Sequence, residues 1–377
     1  MKFLFVLGSR GEWGYIRPII RDCIKRSIEY SICATNMVLL SENGLLVNEI
    51  EQEGFFIGSK VLMSLEGSTN YSMAKSVGLF ASSFVDILMQ EKPDWTILAG
   101  DRGEQLAAAL ACSYSYIPCA HIQAGERSGN IDGIARHAIG KLVHLHFAAN
   151  SDASERLKRL GEQEFRVHNV GAPQLDEIYS EDLHDIDFVE KELNISLKNG
   201  FLLIVQHPVT EQLKMASENT SQLLKALEKF SLPKIIILPN NDAGSTLVKE
   251  KIFASRRTDM HIFSNLTRKI YLSLLRECSC IVGNSSSGLL EAPSFRTPAV
   301  NIGIRQQGRV QGENVINCEY NIESIIQSIN KALSENFKNG LASSKNPYGD
   351  GKSSKRIIDL LSSTKVDDNL LIKEITS

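Results

Sequence analysis

The sequence predicts an α/β protein made of two doubly wound halves, each a parallel sheet with crossover helices. Short apolar runs alternate with helical stretches throughout the chain. A polar, acid-rich stretch from Ser180 to Glu192 separates two such series. The length of 377 residues is too great for one ordinary core and suits two domains of about 150–200 residues each.

In the first series the runs Phe3–Leu7, Trp95–Ala99, Ile117–Ile122 and Val167–Val170 each end in a glycine or polar turn, as strands do. The pattern restarts at Phe201–Val205, Lys234–Leu238, Cys280–Val282 and Ala299–Ile302. Domains are expected at 1–180 and 181–353, with a helical tail, clearest from Ser354 to Leu361 within about 354–377, crossing back to the first. Open α/β sheets bind ligands at their strand carboxyl ends, so the two halves are expected to face one another across a central cleft where the post-strand turns converge.

Composition narrows the function. Apolar residues make up 43% and charged residues 23%, as in an ordinary soluble globular protein. A net charge of -3 argues against a nucleic-acid partner, so the basic residues act locally. The apolar opening Met1–Leu7 breaks at Gly8-Ser9-Arg10, too short for a signal-peptide core or a membrane span, and reads as the first strand. Seven cysteines lack paired metal-ligand spacing, and Cys278 and Cys280, one residue apart, suit the two faces of a strand. Reduced core thiols in a cytoplasmic protein are expected, with no metal and no membrane partner.

The turns carry the chemistry. Gly283-Asn284-Ser285-Ser286-Ser287-Gly288 follows an apolar run and leads into Leu289-Leu290-Glu291-Ala292. A strand that turns into a helix this way aims unpaired N–H groups and the positive helix end outward, which makes an anion seat. Ser285, Ser286 and Ser287 add hydroxyl donors, and Glu291 is placed to accept from the two hydroxyls of a ribose, so the set suits a nucleoside diphosphate. A helix N-cap is the plain alternative.

After the first strand, Gly8-Ser9-Arg10-Gly11 offers Arg10 as a phosphate contact or a purely geometric turn. Gly100-Asp101-Arg102-Gly103-Glu104 clusters carboxylates and an arginine at a strand end, where Asp101 also fits an N-cap. The turn from His121 to Asp132, with Arg136-His137 beyond it, is dense in proton-moving groups, among them Glu126, Asp132 and His137; His121 itself reads as a satisfied strand histidine. Pro208 places His207 at the mouth of another strand, and Pro239-Asn240-Asn241-Asp242-Ala243-Gly244 ends the next. Arg305 and Arg309, four apart beside glycines, match the oxygens of a diphosphate.

Taken together, these segments resemble the hydrolysing UDP-N-acetylglucosamine 2-epimerases, in particular the branch serving sialic-acid-like and legionaminic sugars. The resemblance rests on Gly8-Ser9-Arg10, Gly100-Asp101-Arg102, Ser128-Gly129 through Asp132, Arg136-His137, Gln206-His207-Pro208-Val209-Thr210, Asn240 with Asp242-Ala243-Gly244-Ser245, Gly283-Asn284-Ser285-Ser286, Arg305-Gln306 and Gly312-Glu313-Asn314-Val315. It implies a GT-B fold of two Rossmann-like domains, with the nucleotide held mainly by the C-terminal one and no metal or nicotinamide cofactor. It implies a UDP-sugar site lined by Arg10, Arg102, His207, Asn240, Ser285, Ser286, Glu291 and Arg305, with Asp101 and Asp132 as catalytic carboxylates.

At one position the chain departs from the family pattern: Gln123 stands where a third catalytic carboxylate is usual, and glutamine takes no proton. Either Glu126 substitutes or two acids suffice. The reaction so implied converts UDP-N-acetylglucosamine or UDP-N,N′-diacetylbacillosamine to UDP and a free manno-configured sugar, by anti elimination to a glycal and then hydration. A homodimer or homotetramer is expected. The rival readings are a non-hydrolysing epimerase, a GT-B glycosyltransferase and a catalytically silent UDP-sugar-binding module.

Overall fold

The computed structural model describes residues 1–40, 45–65, 70–127, 131–180, 183–239, 244–264 and 266–376, without the side chains of residues 70, 131, 132, 180, 210 and 211. The chain divides into two compact units, one of Met1–Tyr179 with Tyr348–Ser377 and one of Ser180–Pro347.

Unit 1 holds seven strands: β1 (Lys2–Leu7), β2 (Glu29–Thr35), β3 (Ser59–Val61), β4 (Trp95–Ala99), β5 (Cys119–Ile122), β6 (Leu145–Ala148) and β7 (Val167–Asn169). They pair in the order β3-β2-β1-β4-β5-β6-β7, and every pairing is parallel. The order reverses between β1 and β4, the switch point where an open sheet leaves room above its strand ends. A sheet covered on both faces needs apolar residues on both, and β1 shows how the alternation is used. Phe3, Phe5 and Leu7 bury among Trp13, Ile16, Ile20 and the C-terminal helix residues Ile357, Ile358 and Leu361, while Leu4 and Val6 bury among Phe80, Phe84, Leu88 and Ala108 on the opposite face. The helix Asn70–Glu91 is apolar and long enough to cross a membrane by length and composition, but here Phe80, Phe84 and Leu88 lay it against the sheet.

Unit 2 holds β8 (Leu202–Val205), β9 (Lys234–Ile237), β10 (Met260–Phe263), β11 (Cys280–Gly283), β12 (Ala299–Ile302) and β13 (Val315–Cys318), all parallel in the order β10-β9-β8-β11-β12-β13. Its switch point lies between β8 and β11. Leu202, Ile204, Val282, Val300 and Ile302 fill one face against the helices Ala216–Leu227 and Ile322–Leu333.

Strands β2 and β6 lie inside the first sheet and went unread in the sequence. So did β3, β10 and β13, which stand at or near sheet edges. All seven cysteines are unpaired thiols, and burial pushes Cys23 and Cys280 up to about 12. The strand, turn and helix expected around Gly283 are present, but the helix is short. After Gly283 no long helix begins; two four-residue helices, Ser287–Leu290 and Ala292–Phe295, follow instead. Pro293 has no N–H to continue the first helix, so the helix behind the turn is short.

Candidate active site

In unit 1 the turns after β1, β4 and β5 carry interlocking charges. Ser9 caps the helix Arg10–Lys25 by accepting from Glu12 N, and the Glu12 carboxylate accepts from Gly8 N at 2.6 Å and Ser9 N at 3.1 Å, a complete capping box. The glycine at 8 is needed for space, because a Cβ there would run into the Glu104 carboxyl group. Burial first, and then the charge of Glu104, hold the Glu12 carboxyl well above the usual carboxylate range. Glu104 accepts from Asn36 Nδ2 at 3.0 Å and lies 3.5 Å from Arg102 Nε.

Asp101 is ion-paired with Arg136, whose second nitrogen donates to the Gln123 carbonyl at 2.6 Å. Burial works against the Arg136 charge, but Asp101 and then Glu126 outweigh it and raise its pKa. One cation therefore ties the turn after β4 to the turn after β5. Gln123 adopts a left-handed backbone (φ 62°) that non-glycine residues rarely take, and its side chain donates to Gln174 Oε1 at 3.3 Å. His121 is buried, and its Nε2 lies 2.6 Å from the Gly100 carbonyl, so that nitrogen carries the proton. Burial is the largest influence on the ring, lowering its pKa to about 3. The expected satisfied strand histidine is met at Nε2 only, since Nδ1 is buried without a hydrogen-bond partner among the described residues.

Arg10 opens its helix half-exposed and forms a two-bond pair with Glu49 at 2.9 and 3.1 Å. Glu126 is buried and accepts from Asn150 Nδ2 at 2.8 Å, while Asn150 Oδ1 caps the next helix at Ala153 N. Glu126 is thus anchored to a helix start. Asp132 belongs to the helix Ile131–Leu142, and its side chain lies outside what the structure describes, as does the whole of Asn240 in unit 2.

In unit 2 the turns after β8, β11 and β12 meet at Asn284. Its amide accepts from His207 N and donates to His207 O, both at 2.8 Å, and its own carbonyl accepts from Arg305 Nη1 at 3.1 Å and Gln306 Nε2 at 2.9 Å. Ser285 Oγ accepts from Ser287 N at 3.3 Å, folding the turn on itself, and Ser286 begins the helical turn in αR conformation. Glu291 accepts from Ser287 Oγ and pairs with Arg268, so its carboxylate is held from two sides. Gly283 (φ 138°) leaves no room for a side chain: a Cβ would strike the Val205 carbonyl.

The Tyr320 hydroxyl accepts from Gln206 Nε2 at 2.5 Å and from Asn284 Nδ2 at 3.2 Å. The sequence shows Arg136 and Asn284 only within motifs and does not single out Glu12, Arg268 or Tyr320. Arg136 stood in the quoted Arg136-His137 pair, and Asn284 in the glycine-serine turn. Nothing local marks Tyr320. Among the described residues no group of three His, Cys, Asp or Glu side chains is placed to hold a metal ion.

The model for the family described as UDP-N-acetylglucosamine 2-epimerase matches residues 22–362. The chain belongs to that family. It is 34% identical over 374 residues, 99% of this chain and 98% of the relative, to the UDP-N,N′-diacetylbacillosamine 2-epimerase (hydrolyzing) of Legionella pneumophila. It is 35% identical over 343 residues, 89% of this chain and 88% of the relative, to the GDP/UDP-N,N′-diacetylbacillosamine 2-epimerase (hydrolyzing) of Campylobacter jejuni. The structure of the Neisseria meningitidis UDP-GlcNAc 2-epimerase bound to UDP-GlcNAc superposes with a TM-score of 0.81 at 21% identity, covering 97% of this chain and all of that one. At that identity the likeness is one of fold, the GT-B fold with its two Rossmann-like units.

Proposed function

We propose that the protein is a hydrolysing 2-epimerase acting on UDP-N,N′-diacetylbacillosamine, with UDP-N-acetylglucosamine as the alternative substrate, and that it releases UDP and a free manno-configured amino sugar for sialic-acid-like synthesis. The nearly full-length similarity to the two hydrolysing relatives supports the substrate and the subtype. The observation that carries the chemistry is the Asp101–Arg136 pair at the switch point of unit 1.

The hydrogen on carbon 2 of the sugar has no carbonyl beside it, so a base alone does not remove it. UDP must leave from carbon 1 as the proton departs from the other face. Asp101, ion-paired and hence in its carboxylate form, is the base. The C–H electrons form the double bond of the glycal, and the carbon–oxygen electrons leave with the diphosphate. Water then adds its oxygen at carbon 1 and gives up one proton to solvent, while a carboxyl returns a proton to carbon 2 from the opposite face. Asp132 is the candidate for that return, and Glu126 for any third role that Gln123 cannot fill. General acid–base help of this kind is worth about 100-fold to 10,000-fold.

The leaving group needs donors. Ser285, Ser286, His207, Asn240 and Arg305 in unit 2 are proposed to serve the diphosphate, and Arg10 and Arg102 are further cations proposed for the UDP-sugar. A half-exposed pair such as Arg10–Glu49 contributes about 0–1 kcal/mol, so a diphosphate can displace Glu49 at small cost. Glu291, held by Ser287 and Arg268, keeps acceptor positions for the ribose hydroxyls. The test is an incubation with each UDP-sugar in deuterated water without an acceptor, followed by proton NMR. Free UDP with a manno-configured sugar deuterated at carbon 2 is the expected result. Intact nucleotide-sugar in both tubes would replace this reading with a transferase or a silent binding module.

A further inference from the structure

We infer that Asn284 is a positioning residue, which prolongs the β8–β11 pairing through its side chain so that His207 is fixed against the Gly283–Ser286 turn. Main-chain pairing of the two strands ends where Gly283 stands opposite Val205 and Asn284 N donates to Val205 O at 3.2 Å. Beyond that point the chain must leave the sheet to form the serine turn, and a strand that leaves its partner strands the partner's next N–H and C=O. Here both of those groups, on His207, are taken by the Asn284 amide in two opposed bonds of 2.8 Å. The side chain does what the next peptide of a strand would have done.

The same residue is saturated elsewhere. Its Nδ2 also reaches Tyr320 Oη at 3.2 Å, and that hydroxyl accepts from Gln206 Nε2 at 2.5 Å. Its carbonyl holds Arg305 and Gln306, so a fully buried residue joins the ends of β8, β11 and β12. The side-chain requirement is narrow: a planar group one methylene from the backbone, with an acceptor and a two-hydrogen donor. Aspartate would set a carboxylate oxygen against the His207 carbonyl, serine offers a single hydroxyl, and glutamine is a methylene too long.

The inference rests on the proposal that His207 serves the diphosphate, and a double-mutant cycle tests it separately from the reaction. UDP affinity by calorimetry and kcat are measured for wild type, Asn284→Ala, His207→Ala and the pair. Residues coupled through one network lose function non-additively when both are changed. Asn284→Ala is expected to weaken UDP binding about 10-fold in the His207 background and far less once His207 is alanine. An equal loss in both backgrounds would make Asn284 ordinary structural support and overturn the inference. So would a His207→Ala protein with unchanged UDP affinity and turnover, since nothing would then be positioned. Should Asn284→Ala lose its cooperative melting transition, Tyr320→Phe takes its place in the cycle, with a smaller coupling expected and additivity again fatal. A wild type that binds UDP but frees no sugar sinks the hydrolysing reading alone, because the cycle on UDP affinity still decides the role of Asn284.

Discussion

The switch points of the two sheets share a topology and differ in chemistry. Between β1 and β4, unit 1 gathers Glu12, Asp101, Arg102, Glu104 and Arg136, and the hydrogen bonds these side chains make have a charged group on at least one side. Between β8 and β11, unit 2 gathers Gln206, Asn284, Ser285 and Tyr320, neutral amides and hydroxyls, with Arg305 bound to the Asn284 carbonyl. The doubly wound frame supplies a place above the strand ends and leaves the chemistry to the turns. Moving a proton needs groups whose charge can change. Holding a dianion needs donors that bring no carboxylate with them.

The sharpest way to break this contrast is Asp101→Asn. Turnover should fall about 1000-fold, within the range of acid–base catalysis, while UDP affinity by calorimetry stays at the wild-type value. A parallel loss of UDP binding would place Asp101 in the nucleotide site and erase the division of labour.

The two switch-point glycines give the next largest contrast. Gly283→Ala forces a Cβ onto the Val205 backbone from a positive φ and should cost about 3 kcal/mol or more. Gly8→Ala meets the Glu104 side chain, which can shift, and should cost about 1–3 kcal/mol. The chain's two tryptophans, Trp13 and Trp95, are both buried in unit 1, so their fluorescence follows that unit while circular dichroism follows both. Gly283→Ala should lower the dichroism transition with little change in tryptophan emission. Gly8→Ala should move both.

Acid should separate the units further. His121, His144 and His146 are buried neutral in unit 1, lowered chiefly by burial to about 3, about 4 and about 4. A histidine whose folded pKa is depressed contributes stability that is whole above its unfolded value, near 6.5, and drains as pH falls toward the folded value. The tryptophan-detected melting temperature should therefore fall from about pH 6.5 downward. A flat profile to pH 5 would remove these histidines from the balance.

The smallest expected effect runs in the opposite direction with pH. The Glu12 carboxyl is raised by burial and Glu104, so its protonated form is favoured by folding, and stability is lost as pH rises from the ordinary carboxylate value through the raised one. Glu12→Gln keeps an acceptor for Gly8 N and should flatten that decline. Each kcal/mol recovered would raise the melting temperature by about 2–4 °C.

Some of this was legible in advance and some was not, for reasons particular residues show. β1, β4, β8 and β11 announce themselves as apolar runs closed by glycine or serine turns. β2 and β6 do not: β2 opens on Glu29-Tyr30-Ser31, and β6 carries His146, whose burial is made tolerable by Glu162 at 3.0 Å, sixteen residues away. The helix expected after the serine turn does begin at Ser287, but it is only four residues long, and the sequence reading set no length for it.

The amino-acid sequence by itself determined the α/β alternation and which turns carry charge, amide and hydroxyl, since strand period and turn chemistry are local properties of the chain. The tertiary structure alone decided which turns are neighbours. Asp101 reaches Arg136 across 35 positions, and Asn284 reaches His207 across 77. Those partners are set by strand order. Strand order follows from how whole sheets and helices bury their faces against one another, and no window of local sequence contains that information.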